Sequence, residues 1–167
     1  MAGSQNLTIQ NYQSGVADSL FGYNNAGNST THGSGGGIFY DGTGNVTLLN
    51  TQVTENGAYL DGGGLCAICN ALSVSDDGTT SLVDFQTNTA TGSSSGAGGG
   101  IWAYVQASST INQPFHGNSA SNSNTDQVLV ETGTNGGVTF GSYTTHSLGY
   151  PHGFTVSSGL SGGPNTN

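Results

Sequence analysis

Short apolar runs recur along the chain, separated by glycine-rich and polar turns. Runs such as Val46 to Leu49 and Ile101 to Val105 alternate or cluster as the residues of strands do. No stretch carries hydrophobic residues at the spacing of a helix. The pattern therefore predicts an all-β fold built from many short strands.

A motif with a nearly constant period organises these runs. An aromatic residue or valine is followed three positions later by asparagine and five positions later by alanine, in four copies whose asparagines lie 32, 32 and 30 residues apart. A glycine triplet followed by an aliphatic residue alternates with the motif and begins at Gly35, Gly62 and Gly98. Three short strands with their corners fill about 30 residues. The repeat predicts a parallel β-helix, a three-sided solenoid of about four to five coils.

Strand alternation assigns the repeated positions to different environments. The residues expected to face the core are Phe21, Val53, Phe85, Phe115, Ile38, Leu65 and Ile101. The asparagines are expected at a corner, because asparagine tolerates left-handed backbone and hydrogen-bonds locally. Stacked in register they would form a ladder of amides, although a simple turn role explains the pattern equally well. These asparagines are Asn24, Asn56, Asn88 and Asn118.

The residue after each inward aliphatic position is expected to point outward. These residues are Phe39, Cys66 and Trp102, which would be vertical neighbours in successive coils. An exposed apolar column on a polar solenoid would be a lateral contact surface. Coverage of the column by an insert or by the terminal segment is the competing interpretation.

The repeats cover about residues 21–125 of what we interpret as one domain, residues 1–156. A solenoid of stacked strands has unpaired strand edges at both ends, so it needs caps or stacks on another chain. Residues 1–20 are one candidate cap, and the strand-like segments at 127–130, 138–140 and 153–156 are the other. Residues 157–167 are expected to form a flexible tail.

The charge composition narrows the function. The chain has no Lys or Arg and nine acidic residues. Nucleic-acid binding draws its affinity from basic side chains that neutralise phosphates, so we exclude it. Attraction to anionic membranes is disfavoured for the same reason, and no apolar run is long enough to cross a bilayer. We expect neither a nucleic-acid partner nor membrane insertion.

The two interleaved motifs, seen for example at Gly98 to Ile101 and Phe85 to Ala90, resemble the repeats of chlamydial polymorphic outer membrane proteins and related adhesin-like bacterial surface proteins. The resemblance covers about residues 21–125, and the second copy departs from it in carrying Val53 instead of phenylalanine. It implies a right-handed parallel β-helix, secreted or displayed at the cell surface, with an adhesive or structural role. It implies no catalytic residue.

Patterns of catalytic or metal-binding residues are weak. Glycoside hydrolysis needs two carboxylates about 5 to 9.5 Å apart, but the acidic residues do not follow the repeat, and only Asp76 and Asp77 are adjacent. Cys66 and Cys69 form a single C-x-x-C, which predicts buried thiols rather than a zinc site. The histidines lack metal-ligand spacing. We expect no catalytic residue, no metal and no cofactor.

Ice binding and sugar binding would both need an ordered outer surface. Thr87, Thr89 and Thr91 alternate on one potential face, but the residues equivalent to Thr87 in the other motif copies are not threonines. A threonine ladder is therefore not expected there. Aromatic side chains that would stack on sugars are Tyr40, Trp102, Tyr104 and Tyr143.

The leading hypothesis is a non-enzymatic structural protein located outside the cell or at its surface. Its copies would join by pairing strands at the coil ends into a fibre, sheath or surface layer. The alternative is an adhesin or carbohydrate-binding module that recognises surface glycans. A glycoside hydrolase is less favoured.

Overall fold

In the structure, a computed structural model, the chain is built from short parallel strands. The structure describes residues 5–10, 19–75, 84–92, 96–121, 127–141 and 154–157. These ranges contain strands, turns and bends and no helix, so they contain no helix of the length and hydrophobicity that membrane crossing requires. The prediction of an all-β fold is confirmed. Asp18, Asp76, Asp77, Asp126, Tyr143 and the tail beyond residue 157 lie outside the described ranges.

The described strands form four parallel sheets. Sheet A contains β1 (Leu7–Gln10), β5 (Val46–Leu49), β9 (Leu72–Ser75), β13 (Ser108–Asn112) and β17 (Gly137–Phe140). Sheet B contains β2 (Ser19–Gly22), β6 (Thr51–Thr54), β10 (Phe85–Gln86) and β14 (Phe115–His116). Sheet C contains β3 (Asn25–Ala26), β7 (Gly57–Ala58), β11 (Thr89–Ala90) and β15 (Ser119–Ala120). Sheet D contains β4 (Ile38–Asp41), β8 (Leu65–Cys69), β12 (Ile101–Val105), β16 (Val128–Thr132) and β18 (Phe154–Ser157).

The chain visits the sheets in the order A, B, C, D and then begins again, and we call each such passage a coil. The first coil is β1 to β4, the second β5 to β8, the third β9 to β12 and the fourth β13 to β16, while β17 and β18 belong to a fifth. Every strand pairs in parallel with its equivalents in the neighbouring coils. This arrangement is consistent with a parallel β-helix. It has four sheets where three sides were expected, because each motif copy contributes one strand before its asparagine and another after it.

The core lies between the sheets. One hydrophobic cluster receives side chains from sheets A, B and D, and the rings of Phe85 and Phe115 stack within it with centroids 5.1 Å apart. Burying each of these two rings contributes about 1.5–3 kcal/mol. Six of the seven residues expected to face the core are buried, and Phe21, in the first coil, is partly buried against the same cluster.

The glycine triplets stack on one another between sheets C and D. The amide of Gly36 donates to the carbonyl of Gly62, and the amide of Gly63 donates to that of Gly98. A Cβ added at Gly63 would lie within 3.0 Å of the carbonyl oxygens of Thr89 and Gly99. The backbones therefore approach more closely here than any side chain allows.

Segments that the sequence assigned to caps continue the same sheets. Strand β1 is the first strand of sheet A, while β16 and β18 extend sheet D and β17 extends sheet A. The stacked strands thus reach beyond residues 21–125 at both ends of the repeat region.

Candidate functional site

Each motif copy turns a corner between sheets B and C. The residue immediately before each asparagine has a positive φ: 60° at Tyr23, 52° at Glu55, 55° at Thr87 and 58° at Gly117. The sequence suggested that the asparagine itself adopts the left-handed conformation at the corner. The structure instead places that conformation at the residue before the asparagine. Three of the four corners use a non-glycine residue in a conformation that costs energy, which indicates that the surrounding hydrogen bonds hold it.

The four asparagines form a continuous ladder of hydrogen bonds at this corner. The side-chain amides of Asn24, Asn56 and Asn88 donate to the Oδ1 atom of the asparagine in the next coil at 3.1, 3.0 and 2.9 Å. The backbone amide of each of these three residues donates to the same Oδ1, at 3.1, 3.1 and 2.9 Å. The corner and the ladder are therefore two aspects of one arrangement.

The ladder also ties each coil to the strand before it. The Nδ2 atom of Asn56 donates to the carbonyl of Phe21 at 2.7 Å, and that of Asn88 donates to the carbonyl of Val53 at 2.8 Å. Asn88 is fully buried, with 0% of its surface exposed. Buried amides stabilise a fold only when their polar atoms are paired, and these side chains meet that condition through the regular stack.

The two ends of the ladder differ. After the fourth coil, the Nδ2 atom of Asn118 donates to the Oε1 atom of Gln127 at 2.7 Å, so a side chain of the same protein closes that end. At the other end Asn24 is exposed, and within the described residues no donor reaches its Oδ1. The ladder therefore has one closed end and one open end.

Within the described residues, the large apolar side chains that remain exposed belong to the first coil. Among the described residues they are Leu20, Tyr23 and Phe39, which are 52%, 72% and 57% exposed. At the same register, Gln52 and Cys66 lie opposite Leu20 and Phe39 in the second coil. The open end of the ladder and the exposed apolar surface therefore coincide.

The expected lateral surface on sheet D is only partly formed. Phe39, Cys66 and Trp102 do align on successive strands, and Leu129 continues the column. Phe39 is exposed and Trp102 is partly buried, but Cys66 is only 3% exposed. Cys66 was expected to make lateral contacts, but its side chain is buried. The strand register places it between Phe39 and Trp102, and the hydroxyl of Ser34 hydrogen-bonds to its thiol.

The pKa values of both thiols are raised, which disfavours the reactive thiolate form. Burial, with the nearby Asp61 and Asp41 carboxylates adding to it, raises the pKa of Cys66 to about 12. Burial raises the pKa of Cys69 to about 11. Both cysteines are free. In the described part of the chain, no three histidine, cysteine or acidic side chains gather as metal ligands would.

A small polar cluster lies on the outer face of sheet B. The Nε2 atom of His116 is 3.6 Å from Oδ2 of Asp84, and Gln52 hydrogen-bonds to the same carboxylate. Burial raises the pKa of Asp84, while His116 and Gln52 act in the opposite direction. Oδ1 of Asp84 is buried without a hydrogen-bond partner.

An open hollow of about 450 Å³ runs along the asparagine corner. Gly57 leaves room in the wall of the hollow. The atoms nearest to a Cβ added there would be Asn25 Oδ1 at 3.4 Å and Thr89 Oγ1 at 3.5 Å, which are ordinary contact distances. The lining residues are Tyr23, Asn24, Asn25, Glu55, Asn56, Gly57, Thr87 and Thr89. The hollow combines an exposed ring, a carboxylate, amides and hydroxyls.

Sequence reasoning placed the aromatic surface elsewhere. The hydroxyl of Tyr40 donates to the carbonyl of Gln5 at 2.6 Å and accepts from the amide of Gly44 at 3.1 Å, so Tyr40 is held against the fold. Tyr104 and Trp102 are partly buried. Tyr23 was not recognised as exposed because nothing in its own copy of the motif distinguishes it from an ordinary corner residue.

A second row of asparagines precedes sheet A and was also missed. The amide of Asn45 donates to Oδ1 of Asn6 at 2.9 Å, and Nδ2 of Asn70 donates to Oδ1 of Asn45 at 2.9 Å. These residues do not share a constant spacing, so no period in the sequence reveals them.

Comparison with known proteins adds no relative. No protein-family model, curated protein or solved structure matches this chain. The resemblance to the polymorphic outer membrane repeats stays a prediction, and the function has to be argued from the geometry above.

Proposed function

We propose that this chain is a non-enzymatic structural protein of the cell exterior, whose four sheets close into a right-handed solenoid with a three-sided cross-section and whose copies stack end to end. The first coil would contact the last coil of the next copy. Strand pairing across the junction would continue the parallel sheets, as in other cases of β-strand addition. The product would be a fibre, sheath or surface layer.

The observation that supports this most strongly is the concentration of exposed apolar side chains on the first coil. Leu20, Tyr23 and Phe39 lie on or beside strands β2 and β4, which are the outermost strands of sheets B and D. Apolar side chains at an unprotected sheet edge favour association, because pairing removes them from water together with the backbone groups of the edge.

Among the described strands, none pairs with the outer edge of β2. The amide of Tyr23 donates to the carbonyl of Thr54 in the second coil. The backbone N–H and C=O groups of successive strand residues point to alternate sides of the strand. Those of Gly22, the residue before Tyr23, are therefore directed away from the second coil, toward the open end. A second copy of this chain is a partner that supplies several parallel edges at once: among the described strands, sheets A and D end at β17 and β18 and sheets B and C at β14 and β15.

The test removes the apolar surface with residues that the chain already uses at the same register. Leu20→Gln copies Gln52, Phe39→Thr copies Thr155 of β18, and Tyr23→Thr copies Thr87, which tolerates a φ of 55°. We expect the triple variant to associate at least about tenfold more weakly, since each lost side chain contributes about 1.5–3 kcal/mol when buried. Sedimentation velocity over a range of concentrations measures this.

Gln86→Thr serves as the control. Gln86 lies on the third coil, away from either end, and the change gives it the residue that Thr54 supplies at the same register on the second coil. It should assemble like the unmodified protein. Because the chain carries a net charge of −9, association should strengthen from about 0.01 M to about 1 M salt, over which the screening length falls from about 30 to 3 Å. A protein that stays monomeric at all concentrations and salt levels would contradict the proposal.

The hollow at the asparagine corner supports a second candidate function, carbohydrate binding. Tyr23 offers a ring face for stacking, while Glu55 and Asn25 offer an acceptor and an amide. Gly57→Thr would fill the hollow with the residue type that Thr89 supplies at the same register. If sugars bind there, the variant loses binding on a glycan array and keeps its sedimentation behaviour. Unchanged glycan binding would exclude the hollow as the site.

A further inference from the structure

A column of hydroxyl side chains runs the full height of sheet A. Strand pairing places Thr8 opposite Thr47, Thr47 opposite Ser73, Ser73 opposite Thr110 and Thr110 opposite Thr139. Each strand of the sheet contributes one hydroxyl to this column. With neighbouring strands about 4.8 Å apart, the five hydroxyls span roughly 19 Å in even steps.

These hydroxyls face outward and are not used by the fold. Thr8, Thr110 and Thr139 are exposed, and Thr47 and Ser73 are partly exposed. Their strand neighbours on both sides point inward, as Val46, Leu48, Leu72 and Val74 do with 0–1% exposure. No side-chain hydrogen bond to another described residue is made by any of the five. The column therefore presents unpaired donors and acceptors to whatever lies outside.

The column is rigid and uncharged. Threonine is stiff at χ1, so a strand that is fixed on both sides also fixes the hydroxyl and the methyl group. No residue of the five strands of sheet A is ionisable, and the one aromatic residue, Phe140, aligns with the core residue Ile111. Sheets B and D differ, because they carry His116, Asp84 and Glu131 on or beside their strands.

We propose that sheet A binds the surface of ice. Evenly spaced, uncharged hydroxyl groups match a partner that is itself periodic, and the strand spacing is close to a repeat of oxygen positions in crystalline ice. Small molecules are bound in concave sites, and the hollow of the described residues lies at the asparagine corner and not on this face. A crystalline polysaccharide would call for aromatic platforms, and a second copy of the chain would call for an apolar centre. Neither feature is present on this face.

The threonine variants test the column against a matched control. Thr47→Tyr and Thr110→Tyr place a bulky ring within the column and lift the neighbouring hydroxyls from the ice, whereas Gln86→Tyr places the same ring on sheet B. Losing about two hydrogen bonds should raise the concentration needed to inhibit ice recrystallisation by about tenfold. The control should match the unmodified protein, and Ser73→Thr, which completes a column of threonines, should lower that concentration.

Partition into ice, ice recrystallisation, retention on crystalline polysaccharide and sedimentation together test the proposal. The unmodified full chain should partition into slowly grown ice and slow recrystallisation, with circular dichroism confirming that all variants are folded. Exclusion from ice, or equal activity in the tyrosine variants and the unmodified protein, would overturn the proposal. So would retention on crystalline cellulose or chitin in place of ice. A change in sedimentation caused by Thr110→Tyr at room temperature would instead identify the column as a contact between copies, independently of the end-to-end test.

Discussion

At the scale of single residues, the fold depends on buried asparagine side chains, each of which keeps the polar groups of its neighbours paired. Asn88 accepts two hydrogen bonds from Asn56 and donates to Asn118 and to the carbonyl of Val53. It is buried, so water cannot take over these partners. An asparagine within the ladder therefore contributes through the groups it keeps paired as well as through its own bonds.

We predict that Asn88→Ala lowers the free energy of unfolding by about 2–4 kcal/mol, because it leaves a buried amide and a buried carbonyl unpaired. Asn24→Ala is the matched control. Asn24 is exposed at the open end, so its replacement should cost less than about 1 kcal/mol. Denaturant unfolding measures both. Equal losses at the two positions would show that the ladder does not stabilise the interior.

Thiol chemistry gives a second residue-level prediction. Burial keeps Cys66 and Cys69 protonated at neutral pH, with pKa values of about 12 and 11. The thiolate is the reactive form, so neither residue should react with iodoacetamide at pH 8 in the folded protein. Both should react after unfolding, as mass spectrometry would show. Rapid modification of folded Cys66 would mean that the outer face of sheet D opens.

At the scale of elements, the glycine triplets set how closely neighbouring coils approach each other where the chain passes from sheet C to sheet D. We predict that Gly63→Ala destabilises the protein by more than about 2 kcal/mol, since the new Cβ would collide with backbone carbonyls that cannot move independently. Gly137→Ala in β17 provides the control, because a Cβ there meets nothing within 4 Å. That change should be neutral or stabilise by about 0.4–1 kcal/mol. Thermal unfolding of the two variants compares them directly, and similar melting temperatures would contradict the close approach.

The elements that could be predicted are those that recur at a constant interval. The motif led to the buried column containing Val53, Phe85 and Phe115 because its copies are 30 to 32 residues apart. The column from Thr8 to Thr139 was missed because segments of different length separate its members, so Thr47 and Ser73 are closer in sequence than Ser73 and Thr110. Only the register of the strands aligns them.

The cover over Cys66 could not be predicted for a related reason. Strand alternation assigned the thiol to the outside, and the backbone agrees with that assignment. Ser34 hydrogen-bonds to the thiol, and the strand register places Cys66 between Phe39 and Trp102, all of which are far from it in sequence. Alternation gives the direction of a side chain, whereas exposure depends on what the rest of the chain places above it.

At the scale of the whole molecule, the acidic composition predicts an unusual response to pH. Burial raises the pKa of Asp61, with Glu131 adding to it and the amide of Ala97 opposing it, and burial likewise raises the pKa of Asp84. A carboxyl whose pKa is raised by folding favours the folded state when it is protonated. Its stabilising contribution is complete below the ordinary pKa of about 3.9 and is lost as the pH rises through the higher folded value.

We therefore expect the protein to resist denaturant better near pH 4 than at pH 7. The double variant Asp61→Asn and Asp84→Asn should flatten this dependence. Asp41→Asn with Glu55→Gln, which removes the same charge from exposed positions, should leave most of it in place. Chemical unfolding at several pH values tests the prediction, and a protein that is most stable at neutral pH would refute it.

The unequal ends of the asparagine ladder have a kinetic consequence. Gln127 closes one end and Asn24 leaves the other open, so a chain of stacked copies would be directional, with two ends that grow at different rates. A copy whose first coil is disabled but whose last coil is intact could still join the open end of such a chain. Once there, it would act as a terminator, and a small fraction of it would set the length of the whole population.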